Sequence, residues 1–151
     1  MNVLVIGDSC EDVFIYGDIE RISPEAPVPV FKPTHEESNG GMARNVAENV
    51  EALDMNIHTV TNKNSITKIR YVENRSGQMV LRVDEHDYCE RIDNSLLSGL
   101  VKNKFKRPPF GFDRQQEDHY DAIIISDYCK GFLEEEDIQY ICENNKNVFI
   151  D

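Results

Sequence analysis

Short, uninterrupted runs of apolar residues predict the buried strands of a parallel sheet. They occupy residues 1–7, 122–125 and 148–150, and a shorter apolar segment at 57–60 predicts one more strand. A run without alternation is typical of a strand that is covered on both faces.

Segments between these strands carry apolar residues at helical spacing. They are residues 42–53, 88–105 and 134–144. The last of them also has acidic residues in its first turn, where they interact favourably with the helix dipole. Strands that alternate with helices indicate the α/β class, with a parallel sheet between helices.

Two other stretches do not fit such a sheet and predict an accessory β layer. Residues 66–72 and 78–84 alternate apolar and polar residues around a turn, which is the pattern of a hairpin with one wet face. The prolines within residues 22–33 predict an edge strand or an extended arm, because proline lacks the donor that a central strand needs. Turns or loops are expected at 8–18, 40–41 and 106–117.

The composition fits one folded domain over residues 1–151. Of these 151 residues 40% are hydrophobic and 29% charged, which is enough apolar material for a core. No apolar run approaches the ~20 residues that span a bilayer. The formal charge of −12 predicts that neither nucleic acid nor an anionic membrane is a partner, because both would repel the chain. A basic cluster within 102–107 is interpreted as a solvated loop.

The cysteines show no catalytic or metal-binding pattern. Cys10, Cys89, Cys129 and Cys142 form no Cys-x-x-Cys pair and have no ligand spacing with histidine, so no metal site is expected. All four are interpreted as small buried hydrophobic residues. Scattered cysteines in an acidic chain without a signal peptide indicate a reducing compartment, and we expect a cytoplasmic location.

Carboxylates follow three of the predicted strands. They are Asp8 with Asp12, Asp127, and Asp151. The carboxyl ends of parallel strands gather at one edge of a sheet, where ligands bind. Such side chains can hydrogen-bond sugar hydroxyls or hold a metal through water. Each alone is equally typical of a turn or a helix cap, but their common position favours a ligand site.

The glycine pair before the first helix gives a weaker signal. Asn39-Gly40-Gly41 leaves backbone N–H groups open to an anion or a hydroxyl, although such a pair is commonly a tight turn. It is not a Walker loop, because no Gly-Lys-Ser/Thr follows at the required spacing.

The hairpin is basic in an otherwise acidic chain, with Lys68, Arg70, Arg75 and Arg82. Residues two apart on a strand share a face, so Lys68 and Arg70 point the same way. Cations on one face could hold a phosphate. Ordinary pairing with neighbouring carboxylates explains these cations equally well; the candidates are Glu73, Asp84 and Glu85.

Five groups of residues together resemble a known family. They are Gly7-Asp8 with Asp12, residues 21–30 (Arg-Ile-Ser-Pro-Glu-Ala-Pro-Val-Pro-Val), Gly41 through Asn45-Val46-Ala47, Thr67-Lys68-Ile69-Arg70 with Gln78 and Leu81-Arg82-Val83-Asp84, and Ser126-Asp127-Tyr128-x-Lys130-Gly131. They resemble the heptose 7-phosphate kinases, a branch of the ribokinase-like (PfkB) sugar kinases. The stretch 23–30 is the most specific of these matches. The resemblance runs through the whole chain and covers the first half of that family's domain.

The resemblance implies a truncated ribokinase-like α/β sheet with a projecting β lid, inserted at about 13–36 and 65–86. In that family the lid closes over the sugar and often pairs with the lid of a second subunit. The reaction transfers the γ-phosphoryl group of Mg-ATP to a sugar hydroxyl, here the anomeric hydroxyl of a heptose 7-phosphate. The implied partners are a sugar phosphate and a second copy of the chain.

The resemblance also implies the site residues. Asp12, Gly40, Gly41 and Asn45 would bind the sugar, Lys68, Arg70 and Arg82 would lie near its phosphate, and Asp127 and Lys130 would lie at the rim of the site.

Three differences separate the chain from the family pattern. Met42, Ala43 and Arg44 lie between Gly41 and Asn45, so either one residue is inserted or Met42 occupies the second glycine position. The chain also reaches the hairpin soon after the first helix, where the family has another strand and helix. Finally, the family's Gly-Ala-Gly-Asp segment, with the catalytic base, would lie beyond residue 151, and so would the adenine pocket.

Three functions are compatible with these observations. The first is a kinase whose other half comes from a second chain. The second is a protein that binds a sugar phosphate or dimerises through the lid, without turnover. The third is a relic that keeps only the fold. The resemblance favours the kinase family. Phosphoryl transfer needs a positioned base and electrostatic donors, so residues 1–151 alone are expected to be inactive.

Overall fold

The computed structural model describes residues 1–102 and 120–151, which form two four-stranded sheets. The first, the core sheet, has the order β4-β1-β7-β8, and all its strands are parallel. These strands are β1 (Asn2–Gly7), β4 (Asn56–Thr61), β7 (Ala122–Ser126) and β8 (Val148–Ile150). All four were predicted from the apolar runs, and each agrees with its prediction to within a residue or two.

Helices cover both faces of the core sheet. They are α1 (Ala43–Glu51), α2 (Asn94–Val101) and α3 (Glu135–Asn144). Successive residues of β1 face opposite sides, so Val3 and Val5 pack with α1 while Leu4 and Ile6 pack with residues of α2 and α3. This arrangement explains the unbroken apolar run of β1 and confirms the predicted α/β class.

The helix predicted over 88–105 begins later, because Asp93 caps it. The Asp93 carboxylate accepts hydrogen bonds from the backbone N–H groups of Ser95 and Leu96, at 2.9 and 3.1 Å. These bonds satisfy two donors that no helical partner could reach. The end of that prediction, the basic cluster and the predicted loop at 106–117 fall largely outside the described residues.

The second sheet has the order β3-β2-β5-β6 and projects from the carboxyl end of β1. Its strands are β2 (Ser9–Ile22), β3 (Pro29–Met42), β5 (Thr67–Glu73) and β6 (Met79–Glu85). β5 and β6 form the predicted antiparallel hairpin, and the proline-rich segment contributes the edge strand β3. This layer was predicted at about 13–36 and 65–86. In the structure its strands lie within 9–42 and 67–85, so the first segment is longer than predicted.

The turns predicted within 8–18 and at 40–41 are wrong except at Asp8, which lies between β1 and β2. Residues 9–18 and 40–41 lie in the two 14-residue strands β2 and β3, which pair along most of their length. β2 also pairs with β5 on its other side. Hydrogen bonding to two neighbours satisfies the backbone of β2 and overrides the local turn preference of its polar residues.

Two predictions of burial are also wrong. Phe149 and Ile150 of β8 are largely exposed, because β8 is the edge strand of the core sheet in the described part of the chain. Cys129 and Cys142 are exposed, whereas Cys10 and Cys89 are buried as predicted. Cys129 lies in the segment after β7, and Cys142 lies on the outer side of α3. No helix in the described ranges is long and apolar enough to cross a membrane.

Candidate functional site

The two sheets meet at Asp8, which lies between β1 and β2. Its backbone N–H donates to the Ser126 carbonyl at the end of β7 (3.1 Å), and its carbonyl accepts from the Ala43 N–H at the start of α1 (2.9 Å). The second sheet therefore begins where the core strands end. This is the edge at which open α/β sheets bind ligands.

Asp12 and Arg70 form an ion pair on neighbouring strands of the second sheet. Arg70 Nη1 lies 2.6 Å from Asp12 Oδ1, and both side chains are about one-fifth exposed. The Arg70 guanidinium also lies 5.1 Å from the centre of the Phe14 ring. The other carboxylate oxygen, Oδ2, lies beside Gly41, where a Cβ would approach it to 2.4 Å. Gly41 is therefore required for the close approach of β3 to this carboxylate.

Lys68 is buried on the same face of the second sheet. It is the register partner of Asp12, and it lies two residues from Arg70 on β5, as the predicted common face requires. Its Nζ lies 5.8 Å from the centre of the Tyr128 ring, in the segment after β7. This face of the second sheet is thus turned toward the carboxyl edge of the core sheet.

Arg82 and Lys130 are each paired with an exposed carboxylate. Arg82 donates to both oxygens of Asp84, at 2.7 and 2.8 Å. These hydrogen bonds raise the pKa of Arg82 and lower the pKa of Asp84. Lys130 Nζ donates to Asp87 at 2.7 Å. For Arg82, pairing with a neighbouring carboxylate, one of the two possibilities left open by the sequence, is thus observed.

Four of the predicted site residues act electrostatically on one buried thiol. Burial raises the pKa of Cys10, and the negative charge of Asp12 raises it further. Three cations oppose this effect, namely Lys68, Arg70 and Arg82. Burial and the charge of Asp8 likewise raise the pKa of Cys89 to about 12. The Cys89 thiol is therefore protonated at neutral pH and is no nucleophile.

The segment after β7 carries two more predicted residues, Asp127 and Lys130. Asp127 Oδ1 accepts a hydrogen bond from the Cys129 N–H at 3.0 Å, which is the turn role that its position also allowed. Asp151 lies beside it at the end of β8, and its backbone N–H donates to the Ile125 carbonyl at 2.8 Å. The predicted meeting of strand-end carboxylates at one edge is observed for Asp8, Asp127 and Asp151.

Gly40 and Asn45 have their contacts with residues of α1. A Cβ on Gly40 would meet the side chains of Arg44 and Glu48, on the side of β3 away from Asp12. Asn45 is exposed on α1, where its Oδ1 accepts a hydrogen bond from Asn49 at 3.3 Å. The structure therefore brings Gly41 next to Asp12 and turns Gly40 away from it.

Sequence reasoning missed Asp8 as an anchor, and it missed two aromatic contacts. Phe14 and Tyr128 lie beneath the cations Arg70 and Lys68. The register of β2 with β5 places Phe14 beside Arg70, and the long strand β2 was not predicted. Tyr128 lies outside the strands, and no pattern in the sequence placed it. Asp8 was noted at a strand end, but the spacing of residues in the sequence did not indicate how many hydrogen bonds its carboxylate accepts.

Met42 has the backbone conformation of a glycine. Its φ of 57° and ψ of −132° fall in a region that L residues rarely adopt. Its side chain is nevertheless buried in the core. Of the two alternatives, an inserted residue or a substituted second glycine, this conformation supports the substituted glycine.

The strain at Met42 can be measured with two variants. Met42→Gly and Met42→Ala both lose the buried side chain, but only glycine adopts this conformation without strain. We expect the glycine variant to be more stable than the alanine variant by about 1 kcal/mol in urea unfolding. At Met55, whose φ is not positive, the same pair should show the usual order, with alanine more stable. An alanine variant as stable as the glycine variant at position 42 would contradict this interpretation.

The described residues contain no cluster of three His, Cys, Asp or Glu side chains that could hold a metal ion. The glycine pair, which was the candidate anion site, lies within β3 rather than in a loop that opens a helix. Lys68 and Arg70, which lie beside one carboxylate and two aromatic rings, are instead suited to bind an anionic group.

Curated relatives of the chain are HldE bifunctional proteins. The chain is 31% identical over 180 residues to the HldE bifunctional protein of Photobacterium profundum and 33% identical over 180 residues to that of Vibrio atlanticus. Each match covers 99% of this chain and 35% of the relative, so the chain spans about a third of these proteins. The aligned stretch exceeds the 151 residues of the chain, so the relatives carry additional residues within it. Comparison with models of known protein families gives no match.

Solved structures share the fold. A protein from Staphylococcus aureus assigned as a phosphofructokinase aligns with a TM-score of 0.56 and 10% identity, and a point mutant of Escherichia coli phosphofructokinase-2 aligns with 0.50 and 14%. Both alignments cover 99% of this chain and 52% of the other chain. The chain therefore has the fold of the ribokinase-like carbohydrate kinases. Its relatives by sequence are HldE proteins, which agrees with the resemblance found in the motifs.

Proposed function

We propose that residues 1–151 form the sugar-phosphate-binding part of a carbohydrate kinase, with a heptose 7-phosphate as the sugar. The observation that carries this proposal is the group formed by Asp12, Lys68 and Arg70 at the carboxyl edge of the core sheet. A carboxylate beside cations can accept hydrogen bonds from sugar hydroxyls while the cations bind a phosphate. The heptose rests on the resemblance of residues 23–30 to the heptose 7-phosphate kinases.

Each predicted residue has a role in this proposal. Asp12 accepts from the sugar hydroxyls, and the Gly41 backbone forms the wall beside it. Lys68 and Arg70 bind the phosphate. Arg82, Asp127 and Lys130 complete the rim of the site. To bind the ligand, Arg82 must break its contact with Asp84. Lys130 must likewise break its contact with Asp87. Gly40 and Asn45 belong to the proposed set through the family resemblance alone.

In the proposed reaction Mg-ATP supplies the γ-phosphoryl group that is transferred to the anomeric hydroxyl. A positioned base and anion donors are needed for that step. The described residues do not offer them, so we propose that a further segment or a second chain supplies them. Residues 1–151 by themselves are then expected to bind the sugar phosphate without turnover. The alternative function is a sugar-phosphate-binding protein that has no catalytic partner.

Calorimetry with three ligands tests the proposed specificity. We expect both sugar phosphates to bind more tightly than inorganic phosphate, because their hydroxyls add hydrogen bonds to Asp12. The heptose assignment further predicts that heptose 7-phosphate binds more tightly than fructose 6-phosphate. Equal affinity for the two sugar phosphates would refute the heptose assignment and leave the broader function intact. Binding of none of the three would contradict the proposed function.

The second sheet has an apolar face opposite the site, and we propose that it joins two copies of the chain. Ile15, Tyr71 and Leu81 lie in one row across β2, β5 and β6. Phe31 packs edge-on against Tyr71 at 5.4 Å. These residues line a hollow of about 880 Å³, and Leu81 is half-exposed. An exposed apolar patch of this kind is typical of an interface.

A charge placed on this face should separate the two copies. We expect the wild-type chain to sediment as a dimer at micromolar concentration and the Leu81→Glu variant as a monomer, because the interface would bury an unpaired carboxylate. Leu53→Glu is the matched control, since Leu53 is an exposed leucine at the end of α1, away from this face. Wild-type chain that sediments only as a monomer would exclude this dimer.

A further inference from the structure

Asp8 is a buried carboxylate to which the proposed chemistry gives no role. It has no exposed surface. Its Oδ2 accepts hydrogen bonds from the backbone N–H groups of Tyr128 (2.8 Å) and Lys130 (3.1 Å). Its Oδ1 accepts from the N–H of Phe132 at 3.2 Å and from the Cys89 thiol at 3.5 Å. One side chain thus holds alternate residues of the segment that follows β7.

These donors explain why a carboxylate is needed here. A buried charge is unfavourable unless hydrogen bonds compensate it, and backbone N–H groups directed at both oxygens do so. An asparagine would keep one accepting oxygen and place an NH₂ group against the donors on the other side. An apolar residue would leave all of the N–H groups unsatisfied.

The backbone of Asp8 connects the same segment to the second sheet. Its N–H donates to Ser126, which precedes the segment, and its carbonyl accepts from Ala43, directly after β3. The residue after Asp8 is Ser9, which begins β2, the strand that carries Asp12. Cys89 and Ile92 also hold this segment, through N–H groups that donate to the Lys130 and Phe132 carbonyls. Asp8 differs from them because it connects residues 127–132 directly to the strand that carries Asp12.

We infer that Asp8 is a positioning residue whose carboxylate fixes residues 127–132 so that Lys130 and Tyr128 face the sugar-phosphate site. The effect of Asp8 on ligand affinity rests on the proposed function. Its effect on the conformation of residues 127–132 rests on the contacts alone. Lys130 reaches Asp87, and Tyr128 lies beneath Lys68. Both contacts require the segment in this conformation. Asp8 touches no ligand in this account and acts through the backbone it holds.

The test replaces Asp8 by asparagine and measures amide exchange and ligand affinity. In Asp8→Asn, the amide protons of Tyr128 and Lys130 should exchange at least tenfold faster, while those of β1 stay protected. The dissociation constant for heptose 7-phosphate, measured below the unfolding transition, should rise at least tenfold. Asp137→Asn is the matched control, because Asp137 is also a buried carboxylate and accepts from Arg91 and the Glu134 N–H. It should lower the melting temperature and leave both readouts unchanged.

The possible outcomes separate this inference from the proposed function. Faster exchange at 128 and 130 in a protein that binds no sugar phosphate, even as wild type, would uphold the anchor and contradict the proposed function. Unchanged exchange and unchanged affinity in Asp8→Asn would overturn the inference. If that variant does not fold, wild-type exchange decides, because amides held by a buried carboxylate must be protected to the same extent as those of β1. Fast exchange in the wild type would overturn the inference.

Discussion

Asp12→Ala is expected to weaken the binding of heptose 7-phosphate about 10- to 150-fold. A hydrogen bond to a charged group contributes about 1.5–3 kcal/mol, which corresponds to that range of dissociation constants. The structure adds a second reason, since Asp12 orients Arg70 through a contact of 2.6 Å. Without the carboxylate, Arg70 loses its fixed position beside the phosphate. Isothermal titration calorimetry measures the change directly.

Stability separates a binding role from a structural one at this position. The Asp12–Arg70 pair is partly exposed, so its loss should cost only about 1 kcal/mol of unfolding free energy. Asp18→Ala is the control, because Asp18 lies on the same strand, is exposed, and is bonded to Asn74 (2.9 Å) rather than to the site. It should leave affinity unchanged. A large loss of stability in Asp12→Ala with unaltered affinity would make Asp12 a structural residue.

Gly7→Ala is expected to destabilise the fold by about 3 kcal/mol or more, since it combines overpacking with backbone strain. A Cβ on Gly7 would lie 1.9 Å from the Ser126 carbonyl oxygen, which belongs to the backbone of the paired strand β7 and cannot move aside. Its φ of 153° is also unfavourable for alanine. Urea unfolding followed by circular dichroism gives the change.

The control for this variant is Gly99→Ala, which should have the opposite sign. Gly99 lies inside α2, and a Cβ there meets nothing within 4 Å. Alanine should therefore stabilise the helix by about 0.5–1 kcal/mol. A Gly7→Ala variant as stable as the wild type would show that β1 and β7 are not packed as described.

Buried strands were the most predictable part of the fold, and β2 was the least. The apolar runs of β1 and β7 reflect burial on both faces, which leaves a signal in the sequence itself. The strand β2 contains Cys10, Glu11 and Asp12 and has no such run. It is held by pairing with β3 and β5, which are distant in sequence. Local patterns carry no record of that pairing.

The same distinction explains which parts of the site could be predicted. Asp8, Asp127 and Asp151 were placed at one edge because strand ends are readable from apolar runs. The common face of Lys68 and Arg70 follows from strand periodicity. In contrast, Gly41 lies beside Asp12 and Gly40 does not, because the two residues lie on opposite sides of β3. This difference could not be predicted without the pairing of β3 with β2, a strand that was not predicted.

The short connection between β4 and β5 agrees with one expected difference from the family pattern. Only residues 62–66 connect β4 to β5 in this chain, where the family resemblance implied a further strand and helix. β4 is consequently an edge strand of the core sheet as described. The site residues on β2 and β5 keep their pairing across this shorter connection. A sugar-phosphate site is therefore compatible with the smaller sheet.

The most direct test of the central claim is a thermal-shift titration with heptose 7-phosphate and with Mg-ATP, each alone. A ligand at about 100 times its dissociation constant adds about 2.7 kcal/mol to the stability of the folded state. We predict this stabilisation with the sugar phosphate and none with Mg-ATP, because the proposed function assigns the sugar side of the site to residues 1–151. Stabilisation by Mg-ATP alone, or by neither ligand, would contradict the account.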